Sequence, residues 1–299
     1  AKLWLSANLY SWRQHGRGID SADPDPNQYK VFTAVQPWIT LFGIRNAVMI
    51  ESYYNQLAQD YRLLFTDWDA SVTCQAQVLD ALIQEHFGQH ARRLLDAACG
   101  IGTQCIGLAE RGYQVVASDI ATGALELARQ EATRRSLDLS FVQADMRALR
   151  QAHHGMFDLV IACDNAIPHL LSEADILLAF QQFYACTTAE GGCLITVRDY
   201  ATLELGGRRM YPRTVHQTPE GKVLVFDLWE FEGQTYDFTT YIVHDQGEAG
   251  VHTQAIRGGR YYCVTIPTLE RLLQEAGFSR VVIEREKYYQ PVLIGCKLA

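Results

Sequence analysis

One ten-residue segment constrains this chain more than any other: Leu94-Leu95-Asp96-Ala97-Ala98-Cys99-Gly100-Ile101-Gly102-Thr103. A short apolar run, residues 93–98, breaks at Gly100 and Gly102 and passes at once into a helical pattern over 103–111, with Gly112 as its C-cap. Glycines at such a junction let the backbone turn sharply and approach a ligand closely. The free N–H groups at the start of the helix favour an anion.

The alternation then continues. Strand patterns cover 113–118, 139–143, 157–163 and 192–197, and helical patterns cover 121–135 and 173–187. Apolar strands alternating with helices predict a parallel, doubly wound sheet. Ahead of it, residues 51–65 and 74–87 carry apolar side chains at helical spacing. Residues 201–262 change character, with period-two alternation over 222–228 and 236–243 and turn signals at Pro219-Glu220-Gly221 and Gly247. They predict antiparallel hairpins inserted into the core. A helix over 267–276 and strands over 280–284 and 291–297 close the domain, the short turn between them implying an antiparallel last pair. The division expected is an N-terminal extension over 1–48, core over 49–200, insertion over 201–262 and the rest of the core over 263–299. The extension is either an addition outside the domain or a cap over the site.

Composition narrows the partners. The chain has 299 residues, a formal net charge of −8 and no run of Lys or Arg, so a small-molecule substrate is expected, not nucleic acid. The eight cysteines form no CxxC pair, which argues against zinc and for reduced thiols in a cytoplasmic protein. No apolar run approaches the ~18 residues of a membrane span, and no signal peptide is visible. A homo-oligomer is compatible with all of this.

The ligand follows from three strand ends. Ala98, Gly100 and Gly102 form the turn. Asp119, 23 residues beyond Asp96, ends the second strand, where a carboxylate can accept both hydroxyls of a ribose. At the third strand's end Asp145 can accept an adenine amino group while the Met146 N–H reaches the ring; the alternative for Asp145 is a helix N-cap. Asp96 either orients the turn or touches the ligand. A dinucleotide fingerprint would need glycine at 105, and this chain has Cys105. That favours S-adenosylmethionine over NAD.

Together these elements resemble the class I S-adenosylmethionine-dependent methyltransferases, over roughly residues 50–298, and within them the glycine N-methyltransferase type. Residues 94–103 resemble that family's Gly loop, 158–170 (DLVIACDNAIPHL) its fourth-strand segment, 195–200 (ITVRDY) its fifth-strand end, and the hairpins with Tyr241 and Tyr261-Tyr262 its lid. The resemblance implies a Rossmann-like, seven-stranded sheet with an antiparallel last strand and a β lid. It implies Arg198 as a clamp for a substrate carboxylate and Asn165 as a contact near the methyl group. Cys163 and His169 would line the cofactor side, Tyr241 and Tyr262 would close over the amine, and Tyr53, Tyr61 and Trp68 would cap the cofactor. Asp164 stands where a small residue is expected, and the family's N-terminal arginine contact has no match.

The activity expected is methyl transfer to a small amino acid such as glycine or sarcosine. The alternatives are O-methylation of a small carboxylic acid or hydroxyl, and a non-catalytic binder that keeps the pocket.

Overall fold

The computed structural model describes residues 41–297. Helix α1 (Leu41–Leu57) continues into a 3-10 segment (Ala58–Leu64), and α2 (Trp68–Phe87) follows, capped by the Asp67 carboxylate on the Ala70 N–H. The core then runs β1 (Arg93–Asp96), α3 (Thr103–Glu110), β2 (Gln114–Asp119), α4 (Thr122–Arg134), β3 (Ser140–Gln143), the short α5 (Leu149–Ala152), β4 (Phe157–Ala162), α6 (Glu173–Cys186) and β5 (Thr187–Thr196). Four long strands follow: β6 (Arg208–Thr218), β7 (Gly221–Glu232), β8 (Thr235–Asp245) and β9 (Val251–Tyr262). The chain returns to the core through α7 (Ile266–Glu275), β10 (Arg280–Glu284) and β11 (Val292–Cys296).

The seven core strands lie in the order β10-β11-β5-β4-β1-β2-β3. β1 pairs parallel with both β2 and β4, and β11 runs antiparallel between β5 and β10. Strand order reverses at β1/β4, so a crevice opens beyond the carboxyl ends of those strands, where open α/β sheets bind ligands. β6–β9 form a separate antiparallel sheet. Along β8, Tyr236, Phe238, Thr240 and Ile242 are buried while Tyr241 is only half-buried, the period-two signature of a sheet with one covered face. That face joins one of the core's two apolar clusters, so the lid is packed onto the domain.

The core strands fall within a few residues of their sequence patterns. Several boundaries differ: α2 begins at Trp68, ahead of the predicted 74, and β5 at Thr187, ahead of the predicted 192. α1 begins at Leu41, so the boundary drawn after residue 48 falls inside a helix; residues 1–40 lie outside the described part. The lid strands run 11 or 12 residues, longer than the two alternating stretches.

Candidate active site

A cleft of about 890 Å³, partly open to solvent, lies at the strand-order reversal, lined by Ala98, Gly100, Asp119, Asp145, Met146, Cys163 and His169 among others. The loop after β1 builds its floor. Gly100 and Gly102 adopt φ of +54° and +97°, which a side chain rarely tolerates. Their tasks differ. A Cβ on Gly100 would lie 3.4 Å from the Tyr61 hydroxyl at the cleft, whereas one on Gly102 would lie 2.6 Å from Ile106 Cδ1, in the packing of α3. Gly102 does not line the cleft. It serves as the N-cap of α3, and without a side-chain cap that helix leaves its first-turn N–H groups beside Thr103 and Gln104 on the cleft wall.

The Asp119 carboxylate holds the loop, accepting from Gly100 N at 2.8 Å and Ala121 N at 2.9 Å. Both oxygens keep lone pairs for a diol. Burial raises its pKa, against the pull of those N–H groups. Asp96 is buried beneath the loop. One oxygen takes the Ala98 N–H at 3.2 Å, the other has no partner among the described residues, and burial pushes its pKa up to about 8. Asp145 caps the short turn that starts at Met146, accepting the Arg147 N–H at 2.8 Å, and pairs with the buried Arg147 guanidinium at 2.6 Å. The N-cap alternative therefore holds, and the carboxylate also lines the cleft.

His169 sits on the opposite wall. Its Nε2 lies 3.2 Å from the Tyr54 hydroxyl and its ring stacks on Tyr261 at 4.1 Å. Burial holds its pKa down to about 3, so the imidazole is neutral. Beyond it lies an aromatic cluster around Arg198, which does not itself line the cleft. Tyr261 stacks on Tyr236 at 5.1 Å, and the Tyr236 hydroxyl accepts from Arg198 Nη1 at 3.0 Å. The Arg198 guanidinium lies 4.4 Å above the Trp229 ring and 5.9 Å from that of Tyr200. Among the described residues no carboxylate pairs with it. A guanidinium's planar fork can pair bidentately with a carboxylate.

Several expected side chains are placed otherwise. Asn165 is buried and does not line the cleft; its Nδ2 donates to the Tyr200 hydroxyl at 2.8 Å and its Oδ1 accepts from Arg198 N at 2.9 Å. It braces the clamp, with both ends of its amide engaged. Tyr241 points to the face of β8 opposite Tyr236 and stacks on Phe226 at 5.0 Å, because adjacent strand residues alternate. Tyr53 also misses the cleft: its hydroxyl bonds Thr240 Oγ1 at 2.7 Å inside the lid. Trp68 packs behind α3, donating to Thr103 Oγ1 at 3.1 Å. Of the adjacent pair, Tyr261 stacks behind the cleft-lining His169 and the half-buried Tyr262 ends β9.

Residues the sequence reading missed are Tyr54, Gln104 and Arg147 on the cleft wall, and Tyr236 and Trp229 around Arg198; Tyr261 was named there only as part of the lid. Only alternation along β8, counted from its buried end, could have favoured Tyr236 over Tyr241.

The fold and this cleft define an α/β methyltransferase. Residues 94–191 match the family described as a methyltransferase domain. The chain is 31% identical over 219 residues to glycine/sarcosine N-methyltransferase of Parasynechococcus marenigrum, covering 72% of each protein. To the enzyme of the same name from Halorhodospira halochloris it is 34% identical over 134 residues, which span 45% of this chain and about half (49%) of that one. Among solved structures, the SAM-bound amino pentose methyltransferase CalS10 of Micromonospora echinaspora superposes with a TM-score of 0.65 at 18% identity, covering 76% of this chain and 92% of the other. The CcbJ methyltransferase of Streptomyces caelestis does so at 0.67 and 15%, covering 83% and 98%. The chain belongs to the class I S-adenosylmethionine-dependent methyltransferases, in their glycine N-methyltransferase-like family. No helix among the described residues is long and apolar enough to cross a membrane.

Proposed function

We propose that this enzyme methylates the amine of a small amino acid such as glycine or sarcosine. Arg198 carries the reading: a guanidinium boxed by Trp229, Tyr200 and Tyr236 that lacks a carboxylate partner among the described residues. An acceptor with its own carboxylate would complete the ion pair. The curated relatives named for glycine and sarcosine N-methylation support the same acceptor class.

The residues of the cleft fit S-adenosylmethionine. Asp119 offers acceptors to a ribose, Asp145 and Met146 flank the place for adenine, and the α3 amides suit the tail carboxylate. Ala98, Gly100, Tyr61 and Cys163 complete the walls. When bound, the cofactor supplies a methyl group already activated on a sulfonium. Catalysis is then positioning. Arg198 fixes the acceptor's carboxylate, and so its amine, at one end of a line of attack. Asn165 holds the Arg198 backbone and Tyr200 in register. Neutral His169 with Tyr54 and Tyr261 forms an aromatic wall that keeps water out without repelling a cation.

The test is release of S-adenosylhomocysteine with glycine, sarcosine and dimethylglycine against a panel of hydroxy acids. Turnover of the amino acids is expected. Turnover of the hydroxy acids alone would replace this reading with O-methylation, and no turnover on any acceptor despite cofactor binding would mean a non-catalytic protein.

A further inference from the structure

Asp164 has no role in the mechanism above, yet the chain goes to some length to place it. After β4 the backbone turns through two successive left-handed residues, Asp164 at φ +54° and Asn165 at φ +67°. Such conformations are uncommon outside glycine, though Asp and Asn tolerate them best. β5 holds the turn: Asp164 N donates to Thr196 Oγ1 at 2.8 Å and Asn165 N to the Thr196 carbonyl at 3.1 Å.

The turn presents the Asp164 carboxylate on the cleft wall, with Gly100, Thr103, Gln104 and Cys163. Its hydrogen-bond partners are neutral. Gln104 Nε2, itself anchored on Gln75 Oε1 at 2.7 Å, donates to one oxygen at 2.8 Å, and the Tyr289 hydroxyl donates to the other. Among the described residues no cation forms an ion pair with it; Arg213 acts on it only at longer range and is itself paired with Asp227 at 2.7 Å. Of the cleft's other wall carboxylates, Asp145 and Asp175 pair with Arg147, and Asp119 accepts two backbone N–H groups. At the Gly-loop end Asp164 is thus a side-chain carboxylate on the wall held by neutral donors alone, with no paired cation among the described residues.

We propose that Asp164 receives the α-ammonium of the aminocarboxypropyl tail of S-adenosylmethionine. The inference rests on the reading that this cleft is the cofactor site. A zwitterionic tail lying along the loop needs an anion acceptor and a cation acceptor close together. The uncapped start of α3 supplies the first, and Asp164 the second. Asp96 is the competing carboxylate, but it lies beneath the loop and does not line the cleft.

Calorimetric binding of three nucleosides to the full chain tests this: S-adenosylhomocysteine, its analogue lacking only the amino group, and 5′-methylthioadenosine, which lacks the tail. For Asp164→Asn, affinity for S-adenosylhomocysteine should fall on the order of 10- to 100-fold, as for loss of a hydrogen-bonded charge, with the other two changing less than about twofold. The wild type provides a check independent of any variant. Burial pushes the Asp164 pKa up to about 6. Facing the group are Gln104, Tyr61, Tyr288, Tyr289, Asp96, Cys163 and Arg213. Affinity for S-adenosylhomocysteine should therefore weaken below pH 6 while affinity for the deaminated analogue does not. Equal loss for all three nucleosides in the variant, no loss for any, or tail-selective loss in Asp96→Asn instead would overturn the assignment. A wild type that binds none of the three would overturn the cleft reading itself.

Discussion

Replacing Arg198 by lysine separates acceptor binding from cofactor binding. Lysine keeps the positive charge but loses the planar fork that pairs bidentately with a carboxylate. The guanidinium's protein contacts are one hydrogen bond, to Tyr236 at 3.0 Å, and two aromatic faces, Trp229 at 4.4 Å and Tyr200 at 5.9 Å. These exist with or without acceptor, so their loss lowers stability, by about 1 kcal/mol and on the order of 2 °C in melting temperature. The second charge-assisted bond to the acceptor carboxylate exists only in the complex. Losing it costs about 1.5–3 kcal/mol, which raises KM for glycine or sarcosine roughly 10- to 150-fold. Initial rates of S-adenosylhomocysteine formation at saturating donor give KM, and calorimetry gives the cofactor affinity, expected within twofold of wild type. A cofactor affinity that falls in step with the rise in KM would refute the reasoning, since Arg198 would then support the fold of the whole cleft. An unchanged KM would refute it equally.

Three further substitutions test the site's construction. Tyr53→Phe removes the buried bond to Thr240 and should cost about 1 kcal/mol in chemical denaturation while leaving S-adenosylhomocysteine binding within twofold; a loss of affinity above tenfold would restore Tyr53 as a cofactor contact. Gly102→Ala forces a side chain into φ +97° against Ile106 and should cost about 1–3 kcal/mol, read as a lowered melting temperature; an unchanged one would mean that the turn relaxes freely. Asp96→Asn should stabilise the protein increasingly as pH rises. Below the unfolded pKa near 4 the acid is protonated in both states; above it the unfolded chain ionises first, because burial lifts the folded value to about 8, and the wild type loses stability until that point. The gap between variant and wild type should widen on the order of 2–5 kcal/mol between pH 4 and pH 8 in urea melts, and a constant gap would contradict the burial argument.

The sheet was legible because each core strand is a short apolar run bounded by a helix with its own period, and the two periods do not mimic one another. The Gly loop was legible because a sharp strand-to-helix turn restricts residue type. The lid was less so. Only β7 and β8 carry a readable alternation; β6 (RRMYPRTVHQT) and β9 (VHTQAIRGGRYY) hold too few apolar side chains to show a covered face. Tyr241 and Tyr236 could not be told apart by residue type. Asn165 and Tyr53 carry the right chemistry but spend it on Tyr200, the Arg198 backbone and Thr240, partners far away in sequence. Asp164 stood out in the sequence as a departure from the family pattern. The partners that give it meaning, Gln104 and Tyr289, come from α3 and from the turn between β10 and β11, and only the fold brings them together.

Methyl transfer to an amino acid requires a nucleoside in the cleft along the ends of β1, β2 and β3 and an acceptor carboxylate at Arg198 nearby. A crystal structure with S-adenosylhomocysteine and glycine tests both at once. The ribose hydroxyls are expected on Asp119, the adenine between Asp145 and Met146, and the glycine carboxylate on the Arg198 guanidinium. A nucleoside bound elsewhere, or a glycine whose carboxylate avoids Arg198, would contradict this reading.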